Sequence, residues 1–143
     1  MAKFKQVKLQ EIVMGKLAYD CDLLNELMNI SIEHKITLGR IGAIGAVKKA
    51  CIGFYNQKTQ TYQFSNFDQP LEIASLIGNI SLKDGNPFVH AHITLADESG
   101  KSYGGHLAPG TVVFACEFTL EIFDGPAFNR CFDEETGLQL WSI

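Results

Sequence analysis

Apolar residues recur along this chain with two periods, and the changes between them mark its elements. Val7 to Gly15 suits a first strand. Leu23, Leu24, Leu27, Met28 and Ile30 then recur at helical spacing behind Asp20, a candidate N-cap. They predict one helix running to about Lys35, with its Leu/Met stripe in the core. His34 falls near the end of that helix, where it suits a dipole partner better than a ligand. Next comes GRIGAIGAV, Gly39 to Val47, with a glycine at every third position. The spacing differs from a dinucleotide-binding fingerprint, and the chain continues into the β-rich run Ala50 to Tyr55 rather than into a helix. These glycines instead suit a strongly bent strand or a close approach by another backbone.

Asn56 to Gln60 reads as a polar turn, and Tyr62 and Phe64 alternate as a strand requires. Leu71 to Leu82 is apolar enough for a helix or a buried strand. Its isoleucines and Gly78 favour the strand, which Asp84-Gly85-Asn86-Pro87 ends. Pro109-Gly110 turns the chain into Thr111 to Phe123, the strongest strand pattern of all. From Gly125 onward the pattern weakens, although Phe128, Phe132, Leu138, Leu140 and Trp141 are expected to pack against something. One helix with six or seven strands predicts an α+β domain built on a largely antiparallel sheet.

The richest chemistry lies in HAHITLADESGKSYGGHL, from His90 to Leu107. His90 and His92 are two apart, so on a strand both imidazoles leave the same face. Glu98-Ser99-Gly100 reads as a three-residue hairpin loop, which pairs Asp97 with Lys101 and carries the register forward to set His92 opposite His106. Directly opposed residues share a face. The three histidines then form one cluster, provided that Gly104-Gly105 introduces no bulge. Three imidazoles around one point make a first shell for zinc, nickel or copper with a fourth position open. A set of ordinary hairpin histidines is the bland alternative, weakened because three of the four histidines fall in register within seventeen positions.

Composition narrows the function classes. At 143 residues, 46% hydrophobic and 20% charged, the chain matches one soluble domain spanning 1–143. A formal charge of −4 argues against a broad basic face for nucleic acid; Lys3/Lys5/Lys8 and Lys48-Lys49 are the only basic clusters. Cys21, Cys51, Cys116 and Cys131 are widely spaced with no C-x-x-C pair, and Cys51 and Cys116 sit in apolar runs as buried thiols. No segment approaches a membrane span, so a cytoplasmic, reduced protein is expected.

The order GRIGAIGAV, PLEIASLIGNISL, PFVHAHITLAD and YGGHLAPGTVVFACEFTLEIF resembles the plants-and-prokaryotes conserved (PPC) domain. The match runs from about Val7 to Phe123, leaving 124–143 as a C-terminal extension, and the pairing of P-F-V-H-x-H with G-G-H-L is specific. The resemblance implies a central antiparallel sheet and assembly as a homotrimer. It places the family's histidines on His90, His92 and His106, and its acidic position on Glu72. In plants the domain follows Arg-Gly-Arg-Pro segments that enter the minor groove, and the pair regulates transcription; lone prokaryotic members are called DNA-binding by analogy. No such segment exists here, and Met14-Gly15-Lys16 and Asp20-Cys21 replace the Arg and Pro-Gly often found before the helix.

Three readings follow. The first is a trimeric, DNA-associated regulatory module with a three-histidine metal site. The second is a metal-dependent enzyme acting on a small molecule, with zinc on the histidines and Glu72, then Glu117, as candidate general base. Either carboxylate equally suits a partner that orients a histidine. The third is structural, with the histidines near a trimer contact and Phe123, Phe128 and Trp141 packing on neighbouring subunits.

Overall fold

The strand that organises the molecule is the glycine-bearing one. In the computed structural model, which describes residues 1–143, it runs unbroken from Gly39 to Asn56 and is β2. Its first part pairs with β4 (Leu71–Lys83) on one side and β7 (Val112–Asp124) on the other. Its second part pairs with β3 (Thr61–Phe67) and β6 (Ser102–Leu107). Serving four partners requires the strand to bend. Register shifts fall at Ala43/Gly45, Ala46/Val47 and Val47/Lys49. At Gly45, with φ +146°, a Cβ would stand 2.1 Å from the Ala115 carbonyl oxygen. The expected close backbone approach is found here.

All pairings among the named strands are antiparallel, in the order β1-β7-β2-β4-β5-β6, where β1 is Lys8–Lys16 and β5 is Asn86–Ala96. The β2–β6 contact closes β2, β4, β5 and β6 into a ring, while β7 and β1 extend from β2 as an open wing. Inside lie Ile41, Leu76, Ile80, Ile93, Leu95, Leu107 and Leu120, all nearly inaccessible. On β5 the alternation is clean. Val89, Ala91, Ile93 and Leu95 point inward, which turns Phe88, His90 and His92 to the other face.

The helix α1 spans Leu23–Glu33 and contributes Leu23 and Leu27 to the same core. Its cap is Asp22 rather than Asp20. One Asp22 oxygen accepts the Asn25 amide at 3.0 Å and the other accepts the Gly110 amide at 2.6 Å, fastening the helix start to the loop before β7. Asp20 lies two residues too early, in a left-handed turn, and pairs with Lys48 instead. His34 is the C-cap residue, in keeping with its expected place at the helix end.

The C-terminal segment also differs from expectation. It folds as a hairpin of β8 (Arg130–Asp133) and β9 (Leu138–Trp141), which brings the strand count to nine. Four-residue strands are too short to show a period, so the pattern looked weak. Phe128 is buried with its ring against Trp141, but Phe132 is 63% exposed because a two-stranded hairpin leaves one face bare. No helix is long and apolar enough to cross a membrane.

The close approach at Gly45 sets a measurable cost. Gly45→Ala should destabilise the protein by at least about 2 kcal/mol in urea unfolding. Gly85→Ala, in a turn where a Cβ meets nothing within 4 Å, should cost only about 1 kcal/mol from its positive φ.

Candidate metal centre

The turn between β5 and β6 is held by one carboxylate. Asp97 Oδ1 accepts the Ser99 amide (2.9 Å), the Ser99 hydroxyl (2.7 Å) and the Lys101 amide (3.0 Å), while Oδ2 accepts the Tyr103 hydroxyl (3.1 Å). Gly100 takes the left-handed position at φ +79°. The register then runs without a shift from Ala96↔Ser102 to His92↔His106. Gly104-Gly105 makes no bulge in this ladder. Gly105 does something else: a Cβ there would stand 2.7 Å from the Gly53 carbonyl oxygen, so its absence lets β6 pair with β2 as well as with β5.

The result is the expected cluster. Ring centroids are 5.3 Å apart for His90 and His92, 5.1 Å for His90 and His106, and 5.6 Å for His92 and His106. One nitrogen from each ring lies within 4.8 Å of the others, near enough for one ion to reach all three after small side-chain rotations. His90 and His106 are half-buried and His92 is exposed. Burial is the main force holding the His90 pKa down to about 4, with His106, Arg130 and His92 adding to it. His106 is lowered by burial, then by His92 and Arg130. Neutral imidazoles offer free lone pairs at neutral pH, which is the state a metal needs.

A second observation tests the fit. His106 Nδ1 is buried without any hydrogen-bond partner, the only side-chain nitrogen or oxygen so stranded. A buried polar atom without a partner is costly, and coordination to an ion would satisfy it. The ring itself is packed against Tyr62, 4.9 Å away. Two cavities flank the cluster. One, of about 620 Å³, is lined by His90, His106, Tyr62 and Arg130; the other, of about 670 Å³, by His90, His92 and Ile77. Three nitrogen donors with open space beside them fit zinc or a similar divalent ion.

The two candidate carboxylates stand elsewhere. Glu72 shares the histidine face of the sheet but pairs with Ala96, four residues along β5 from His92, roughly 13 Å at strand rise. Glu117 is exposed on β7, opposite Lys16 and Ile44. What sequence reasoning missed is Arg130. It reaches over the outer face from the C-terminal hairpin to Asn79, the cross-strand partner of His90. Its signal was slight, the single arginine of a segment with no legible period.

The chain has relatives. Residues 4–124 match the profile of the Plants and Prokaryotes Conserved domain. The chain belongs to this family. Among solved structures, a metal-containing protein of Archaeoglobus fulgidus is 41% identical, with a TM-score of 0.93 covering 98% of this chain and 99% of that one. A PPC protein of Pyrococcus horikoshii is 33% identical, also at 0.93, covering 100% and 98%. A protein of Bacteroides thetaiotaomicron, named as a candidate DNA-binding protein, is 26% identical at 0.87, covering 98% of each chain. The bifunctional protein GlmU of a Synechococcus strain is 32% identical over 118 residues, 81% of this chain. The PPC chain spans less than a fifth of the length of the GlmU proteins it matches.

The lowered His90 pKa fixes a pH window. An unfolded chain takes up this proton near pH 6.5, whereas the folded protein resists it until about pH 4. Stability is therefore full above pH 6.5 and is lost as the pH falls through this range. The melting temperature of chelator-treated protein should drop across the window, and His90→Gln should shallow the drop.

Proposed function

We propose that residues 1–143 form one metal-binding PPC domain in which His90, His92 and His106 hold a divalent ion, zinc by ligand chemistry. The carrying observation is the convergence of three imidazoles with one ring nitrogen each within 4.8 Å of the others, and the partnerless, buried His106 Nδ1 supports it. The 41% identical relative being metal-containing supports it. When bound, such an ion supplies a Lewis acid and lowers the pKa of a coordinated water. The chain's own residues orient the site: Tyr62 packs against His106, and Asp97 locks the hairpin that carries it. The flanking cavity of about 620 Å³ is the size of a small-molecule site, so we read the centre as acting on or sensing a small ligand. No Asp or Glu lines that cavity. A general-base role for Glu72 then requires that a neighbouring subunit supply the histidines.

The resemblance implies a homotrimer, and the outer face supports it. Met14, Ile44 and Ile77 are all more than half exposed on one continuous sheet face. Four unpaired cysteines support a reducing, cytoplasmic setting. Untagged protein purified without chelator should carry about one equivalent of zinc per chain and a solution mass of three chains. His106→Ala should lose the metal while keeping the wild-type circular dichroism. Wild type that stays metal-free after dialysis against zinc overturns the reading.

A DNA-associated regulatory role is the second reading, supported by the candidate DNA-binding relative. Charge works against it. A trimer carries a formal charge of about −12, three times −4, and Lys48 is already paired with Asp20 at 2.8 Å. Any DNA complex should be weak and lost between about 50 and 200 mM salt in a mobility-shift series. A complex that survives this range would contradict the charge argument.

A further inference from the structure

Arg130 is buried, yet its charge has no partner. Nε donates to Ser81 Oγ (2.9 Å), and the terminal nitrogens donate to Asn79 Oδ1 (2.7 Å) and the Gln139 carbonyl oxygen (3.0 Å). All three acceptors are neutral. The ion pairs of the protein are Arg40 with Glu121 and Lys48 with Asp20, so no carboxylate serves Arg130. Pinning the hairpin to β4 needs donors but not a charge, and a guanidinium withdrawn from water without a counter-charge is unfavourable. Three of its five N–H groups are used, leaving one free on each terminal nitrogen.

The guanidinium is also held in place. It lies over Phe88 at 5.3 Å and near Trp141 at 5.9 Å from the ring centroids. Lys83 Nζ approaches the same Phe88 ring at 5.3 Å. Both cations line the 620 Å³ cavity that also contains His90 and His106, a cavity with two positively charged side chains and no acidic one. Asn79 joins the two features, accepting from Arg130 while pairing with His90 across the strands.

We propose that this cavity binds a small organic acid, with Arg130 receiving its carboxylate, Lys83 adding attraction, and Tyr62, Leu138 and Trp141 covering its apolar part. The inference rests on the small-ligand reading of the same cavity but not on the ion being present. Two free N–H groups on two nitrogens are as many donors as a carboxylate has oxygens, whereas a phosphate calls for more. The apolar walls select an acid with a hydrocarbon or aromatic flank.

Trp141 is the single tryptophan and lines the cavity, so its fluorescence reports occupancy. The full chain, zinc-loaded and chelator-treated, is titrated with phenylacetate and with its neutral isostere phenylacetamide. We expect a saturable response to the acid and affinity for the amide weaker by about tenfold or more, with this preference kept after chelation. Lys83→Gln, which removes none of the Arg130 hydrogen bonds that hold the hairpin, should weaken the acid by roughly twofold to fivefold and leave the amide unchanged. Arg130→Lys should cost the acid about tenfold, because a point charge does not replace the planar fork. Equal affinity for acid and amide, no saturable response to either, or tighter competition by inorganic phosphate overturns the proposal. An acid preference that vanishes on chelation also overturns it, by placing the carboxylate on the ion, while leaving the metal reading intact. A preference that persists in protein unable to take up zinc upholds the acid site and removes the metal.

Discussion

Everything at the centre of this protein depends on the register between β5 and β6. A strand has two faces and a period of two, so a slip of one residue would turn His90 and His92 into the core and expose Val89, Ala91 and Ile93. The burial of the aliphatic set and the convergence of the histidines are thus one event. Asp97 secures it by holding the turn with four hydrogen bonds, and β2 secures it from the far side through Gly53↔His106. The free energy that orders the three histidines comes from hydrophobic burial on the opposite side of the same strand.

The parts of the fold legible in the sequence were those governed by local chemistry. The hairpin was readable because loop length and a left-handed glycine dictate pairing, and pairing dictates which residues face one another. Leu71–Lys83 was identifiable as a buried strand for a similar reason, its isoleucines favouring extended backbone. The helix cap was misplaced by two residues because Asp20 and Asp22 offer the same side chain, and only the Gly110 amide, far along the chain, selects between them. The ring closure between β2 and β6 left no local trace. It depends on Gly105 having no side chain where the Gly53 carbonyl passes, a long-range steric fact that a one-dimensional pattern does not carry.

The site was half legible in the same sense. Three histidines in register announce themselves, since their chemistry and spacing are both local. Arg130 does not, because its importance arises from the C-terminal hairpin folding back over Asn79 and Ser81. It also shapes the histidines, adding its positive charge to the burial that keeps His90 and His106 neutral. The cationic neighbour thus favours the protonation state in which an imidazole can act as a ligand.

One row of cross-strand partners crosses the whole outer face: Met14, Thr119, Gly42, Ile77, His92 and His106. Its apolar members and its histidines are therefore neighbours on a single rigid ladder, and His92 is the exposed member of the cluster. A second chain that covers Ile77 also changes the solvent around His92. Were the proposed ion bound in such an assembly, thermodynamic reciprocity would make assembly and ion affinity functions of each other, and occupancy of the centre would depend on protein concentration as well as on metal supply.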